Sequence, residues 1–441
     1  MKIYKLFLLA VTVMTAASCA DKLDLYPHSS ASPDGVVLTD LPALRIGMYN
    51  EVQVEPGTYT WIGEDLLGGD FMYSQSASAA QTIQTYMTAA SGQMSGPWNG
   101  IYYALYQVNN VLYICSRFPD DDTAKSISGE AHFFRAFLYM NLVTRYGDVP
   151  LLRENTTEKV ARTPSATVWE FIDEEITLAE SLVSLQKSDY YVSKDAVQAL
   201  KARVLLYEGK KTQAASEAEA LITCGRYALD TPDNIWGTPA GRVEASANKE
   251  SIFSFSNIAT EGGITLGNNF YTYGYINKGG GWYFLTKDFY DSFEDGDTRK
   301  TDYVYIDPDA QAAGTPFLYC CNKHRGGQSY PSPIPVFRIS EMYLIAAEAK
   351  GVAGMSRLNE LRSFRGLGPV SASTEAAALD AVLAERRHEL VGEGQRWYDL
   401  VRTGKFVSTI NSPEVQDYHC LFAIPQSQIT INDLLVQNPV Y

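Results

Sequence analysis

Acids and arginines crowd the stretch from Glu385 to Gly404, which holds Glu385, Arg386, Arg387, Glu389, Glu393, Arg396, Asp399 and Arg402. Two carboxyls a few ångströms apart across a sugar bond are the equipment of a glycoside hydrolase. The same residues, however, fall at helical spacings, where acids and arginines pair along and between helices. Arginine's planar fork suits bidentate contact with a carboxylate where packing excludes water. Leu390 and Trp397 in the same block are core residue types. The block therefore reads as structural ion pairs, as do Arg338, Glu341 and Glu348. His132 stands beside Phe133 and Phe134 and reads as packed or capped. The run EDGDTR, Glu294 to Arg299, lacks the spacing of a calcium loop. There is no nucleophile elbow, phosphate loop or zinc-protease motif. The expectation is a protein that is not an enzyme, with no cofactor and no metal.

A second group of residues is suited to sugars, which offer flat C–H faces and many hydroxyls. Aromatic platforms beside Asp, Asn, Gln or Arg can meet both features. Two segments have that composition. Tyr59 to Tyr86 contributes Trp61, Asp70, Tyr73 and Tyr86, with Gln75 nearby. Asn268 to Tyr290 contributes Tyr271, Tyr273, Tyr275 and Trp282, with Asn277 and Tyr283 among glycines. In a strand, Tyr271, Tyr273 and Tyr275 would share a face. These aromatics could equally pack a small core of their own, since tyrosine serves both uses.

The elements that must carry these residues begin with an export signal. Lys2 and Lys5 precede a short apolar run, Leu6 to Val13, and then Ala16, Ala17 and Ser18 lead into Cys19. The run is too short to span a bilayer and reads as a leader over residues 1–18. The order of small residues before Cys19 is similar to a bacterial lipobox, so Cys19 is the expected lipidation site. Residues 19–37 read as anchor and tether. Loss of Lys2 and Lys5 with the leader takes the net charge from −15 to −17. Such a balance argues against nucleic acid as a partner. Beyond Cys19, Cys115, Cys224, Cys320, Cys321 and Cys420 show neither CxxC nor Cys/His ligand spacing.

Helical periodicity starts near Leu38 and is clear from Trp98, where Trp98, Ile101, Leu105, Val108 and Leu112 make one apolar face. A helix over about 124–146 stops at Gly147 and Pro150, and another spans about 168–185. Residues 194–227 form two helices around Gly209, a unit similar to a tetratricopeptide repeat. Weaker units fall at 98–146 and 338–365. Such units bury their faces by stacking on neighbours. The expected fold is mainly α: a helical-repeat scaffold over about 98–227 and 338–405, interrupted by a loop- and strand-rich insertion over about 230–335. Residues 38–441 form one domain, and 374–405 are read as helical.

Several blocks, in order, resemble the SusD/RagB family. They are WNGIYYALYQVNN from Trp98, GEAHFFRAFLYMNLVTRYGDVP from Gly129, VFRISEMYLIAAEAK from Val336, LNELRSFRGL from Leu358 and ERRHELVGEGQRWYDLVRTG from Glu385. The terminus IPQSQI…QNPVY is also similar, with Gln428 and Val440 as departures. The resemblance implies a lipid-anchored protein on the outer face of the outer membrane. It implies capture of a glycan without covalent chemistry, and a SusC-like TonB-dependent transporter as partner. Asp70 sits where relatives often carry a ligand-contacting acid. Capture of a peptide or glycopeptide is the rival within the same class, and would favour backbone hydrogen-bonding edges. A surface glycoside hydrolase is the alternative from another class.

Overall fold

The computed structural model describes residues 33–74, 88–238, 248–271, 280–326, 331–413 and 415–441, with Gln93 and Met94 described through their backbone alone. Expectations placed on Cys19, Tyr86, Tyr273 and Tyr275 lie outside the described residues.

The helices are α1 (Leu41–Val54), α2 (Thr58–Leu67), α3 (Gly92–Ser116), α4 (Asp122–Tyr146), α5 (Ser165–Leu182), α6 (Lys194–Tyr207), α7 (Lys211–Thr223), α8 (Ile339–Lys350), α9 (Met355–Phe364), α10 (Glu375–Glu389) and α11 (Arg396–Arg402), with shorter turns between. They stack in sequence: α3 on α4, α4 on α5, α6 on α7, and α8 back onto α7. The periodicity expected of α3 is realised. Trp98, Ile101, Leu105 and Val108 are buried, and Leu112 packs at the edge. Gly100 marks where α3 crosses the end of α1, because a Cβ there would run into the Glu55 carbonyl. Asp121 and Ser193 cap α4 and α6 by accepting the Ala124 and Ala196 N–H groups. No helix of the described residues is long and apolar enough to cross a membrane.

Two expectations change. The helix near Leu38 starts at Leu41, after a 3-10 turn over Leu38–Asp40. The helical reading of 374–405 breaks between α10 and α11, because Gly392 and Gly394 adopt φ values of +77° and +68° that helical residues do not.

Among the described residues the strands form three antiparallel pairs, five of the six strands lying in or at the edge of the insertion and β1 coming from the segment after α2. Here β1 is Phe71–Tyr73, β2 Ser251–Phe255, β3 Tyr283–Leu285, β4 Val304–Ile306, β5 Tyr319–Cys321 and β6 Ile334–Arg338. The pairs are β1 with β3, β2 with β6, and β4 with β5. Cys115, Cys224, Cys321 and Cys420 are free thiols.

A buried ion network joins the insertion to the helices. Glu389, at the end of α10, meets Arg299, Arg338 and Arg365. Glu250 pairs with Arg338 and Arg365, and Glu385 with Arg299 and Arg362. Glu393 pairs with Arg338 and Lys323, and Asp297 with Arg299. Burial alone would raise the Glu389 carboxyl, but Arg365, Arg338 and Arg299 outweigh it and hold it well below the usual carboxylate range. The same balance, led by Arg338 and Lys323, lowers Glu393. Five carboxylates are thus matched by five cations, which is what a desolvated cluster requires. Removing one partner would leave an uncompensated buried charge, at a cost of about 3–5 kcal/mol.

Candidate ligand-binding platform

The two aromatic segments singled out in the sequence are brought together by the pairing of β1 with β3. Tyr73 stands opposite Tyr283, and Phe71 opposite Leu285. The ladder continues past the strands, as Ser74 N–H donates to the Trp282 carbonyl at 3.0 Å and Trp282 N–H to the Asn269 carbonyl at 3.1 Å. The Tyr73 ring meets the Tyr283 ring edge-on, with centroids 4.8 Å apart and planes at 82°. The Tyr283 and Tyr59 hydroxyls lie 2.7 Å apart, so α2 buttresses the strand pair. Trp282 stands at the rim and is 42 % exposed. Its indole lies on the bare backbone of Gly280, where a Cβ would fall inside van der Waals contact of Nε1 and Cδ1. Gly280 therefore seats its ring.

Behind this rim the other candidates serve packing. Tyr271 is fully buried with Phe284 and Cys320 in a small core, and its hydroxyl donates to Asn322 Oδ1 at 2.9 Å. It is not in a strand: the chain before it closes a 3-10 turn over Leu266–Asn269, and the strand of this segment is β3. Trp61 is half-buried against Phe137 and Phe255, and its indole N–H donates to the Gln53 carbonyl at 3.2 Å. Asp70 is 3 % exposed and is held by Arg387 at 2.6 Å and Arg396 at 3.5 Å. Its carbonyl also accepts from Thr286 N–H. Asp70 thus ties β1 to the charged helices α10 and α11.

The carboxylates of the C-terminal block are likewise occupied. Asp399 pairs with Arg386 and Arg402, Glu348 with Arg402, and Glu341 with Arg203. His132 contacts Glu175 through Nδ1 at 2.7 Å. Burial pushes the Asp65 carboxyl up to about 8, against hydrogen bonds from the Gly394 and Arg396 N–H groups. A raised carboxyl can mark acid–base work, but Asp65 is 1 % exposed and both its carboxyl oxygens accept backbone N–H groups. No metal-ligating cluster occurs among the described residues.

The family comparisons agree with this architecture. Residues 23–206 match the SusD-like model described as "Starch-binding associating with outer membrane", and residues 319–441 match the model of the SusD family. The chain is 24 % identical to SusD-like protein P38 of Formosa agariphila over 92 % of both chains. It is 29 % identical to the starch-binding protein SusD of Bacteroides thetaiotaomicron, over 26 % of this chain and 22 % of that one. Among solved structures, a SusD superfamily protein of Bacteroides thetaiotaomicron superposes with a TM-score of 0.78 at 23 % identity, covering 92 % of this chain and 100 % of that one. A laminarin-binding SusD-like protein gives 0.74 at 21 % identity, covering 91 % and 99 %. The helical scaffold with its paired strands is therefore the fold of solved SusD superfamily proteins. The chain belongs to the SusD/RagB family.

Proposed function

We propose that this protein captures glycans at the cell surface, holds them without cleaving them, and passes them to a SusC-like TonB-dependent transporter. The observation that carries this reading is the β1–β3 pairing. It places half-exposed Trp282 next in the chain to Tyr283, whose ring meets Tyr73 edge-on at the same end of the strand pair and whose hydroxyl is held by Tyr59. Trp282 and Tyr73 are the contact residues, with Tyr86, Tyr273 and Tyr275 as further candidates. Trp61, Asp70 and Tyr271 act as supports. The flat ring supplies a stacking face, and stacking tolerates many sugars. The laminarin-binding relative and the starch-binding SusD support a glycan as the ligand class. Anchoring through a lipid on Cys19 would keep the platform at the outer membrane, with which the matched family model is associated.

The test is to incubate the purified chain with laminarin, starch and other surface glycans, measure binding, and analyse the glycan afterwards. Binding with the glycan recovered intact is the expected outcome. Turnover that disappears when one carboxylate is changed to its amide would overturn the reading in favour of a hydrolase. Binding of peptides alone would move the ligand class.

A further inference from the structure

A cavity of about 680 Å³ opens between the end of α4, the start of α5, the end of α6, α11 and the C-terminal tail. It shares no lining residue with the rim formed by Tyr73 and Trp282. Its size lies in the range of small-molecule sites, which are mostly apolar with a few placed polar groups. Three aromatic side chains line it. The Tyr207 and Tyr398 rings stack, with centroids 5.8 Å apart and planes at 30°. Tyr207 gives its hydroxyl to Gln395 Oε1 at 2.9 Å, so it offers the cavity its ring. Trp169 is half-buried, and its indole N–H finds no acceptor among the described residues.

The polar groups divide into those that are taken and those that are open. Arg402 is committed to Glu348 and Asp399. Arg162 gives its nitrogens to the carbonyls of Asp148, Val436 and Tyr146 and to Asn438 Oδ1. Neither guanidinium presents the free fork that an anion would need. Gln437 is bound through both ends of its amide to Ile424. Asp148 is exposed and uses Oδ1 to accept from Ser165 N–H at 2.7 Å, which leaves Oδ2 open as an acceptor. The open set thus includes one carboxylate acceptor, one indole donor and the Tyr398 hydroxyl, which is buried without a partner among the described residues.

We propose that this cavity is a second binding site on the chain, for a short neutral saccharide, with Trp169 as its aromatic wall and Asp148 as its hydroxyl acceptor. The proposal rests on the glycan-binding reading but uses a different part of the molecule. A sugar hydroxyl would donate to Asp148 Oδ2, another would accept from the Trp169 N–H, and a pyranose face would lie on an aromatic ring.

The two sites can be read separately. The chain has six tryptophans. Labelling the full chain with fluorotryptophan gives each indole its own fluorine-NMR resonance, assigned by single Trp→Phe changes. The probes are laminaribiose, maltose and cellobiose, with glucuronate as an anionic comparison. A saturable shift of the Trp169 resonance by a neutral disaccharide in the millimolar range is expected. The shift should survive Trp282→Ala and weaken at least threefold in Asp148→Asn, which keeps the acceptor of the Ser165 contact. A response at Trp282 with none at Trp169 overturns the second site and leaves the platform standing. A response at Trp169 alone supports the cavity and overturns the platform. Silence at both resonances overturns both. A response of Trp169 to glucuronate alone overturns the neutral ligand class.

Discussion

Trp282→Ala separates a binding surface from a core position. Burying a whole tryptophan removes about 150–250 Å² from water, so the exposed part of this ring is on the order of 100 Å². Covering that area with a sugar face contributes about 2.5 kcal/mol at ~25 cal/mol per Å². Ordering the flexible glycan reduces the realised gain to about 1.5–2 kcal/mol. Since ~1.4 kcal/mol is tenfold, Kd should rise roughly ten- to thirtyfold in the variant. Stability should fall by only about 1 kcal/mol. The hydrogen bonds that hold this residue run through its backbone, to Ser74 and Asn269, and alanine retains both. Tyr271→Ala is the internal comparison. Its ring is fully buried and its hydroxyl bonded to Asn322, so truncation should cost about 3–5 kcal/mol. Calorimetric titration with the tightest glycan of the panel, alongside thermal unfolding of both variants, makes the measurement. A folded Trp282→Ala protein with unchanged Kd would refute the platform, and so would a variant that unfolds as readily as Tyr271→Ala.

Three further outcomes follow from particular residues. Gly280→Ala places a methyl where the Trp282 indole rests, so it should weaken glycan binding several-fold with little change in thermal stability, and an unaltered titration curve would show that the seat is unimportant. His324 is buried, stacks on Phe270 and donates from Nε2 to the Gly392 carbonyl, and burial lowers its pKa from 6.5 to about 4. The unfolded chain then binds the extra proton between those values, so stability is lost as pH falls through that window, by about 2 kcal/mol at about pH 5. His324→Gln keeps a donor and cannot titrate. Its stability deficit relative to the parent, from denaturant melts, should therefore shrink by about that amount between about pH 7.5 and about pH 5, and a constant deficit would argue against a neutral buried imidazole. Cys19→Ser should abolish labelling by radioactive palmitate and release the protein from membranes, whereas membrane retention by the variant would remove the lipid-anchor proposal.

The sequence by itself determined the parts of this protein that depend on neighbours in the chain. Apolar residues three and four apart specify a buried helical face whatever the rest of the fold does, and so α3, α4, α6 and α7 were legible from Trp98, Phe134, Leu200 and Ala218. The reading of the Glu385–Arg402 block as ion pairs also came from spacing and composition. Partner choice did not. Asp70 meets Arg387 across 317 positions of chain, and Tyr59 meets Tyr283 across 224. Local periodicity carries no information about such pairs. The burial of each aromatic was equally undetermined, because tyrosine and tryptophan fit both a core and a wet rim. Tertiary packing sent Tyr271 inward and left Trp282 at the edge, although both stand in the same glycine-rich segment. The cavity beside Trp169 was invisible for the same reason. Its walls come from four helices and the C-terminal tail, and only their stacking leaves the space open.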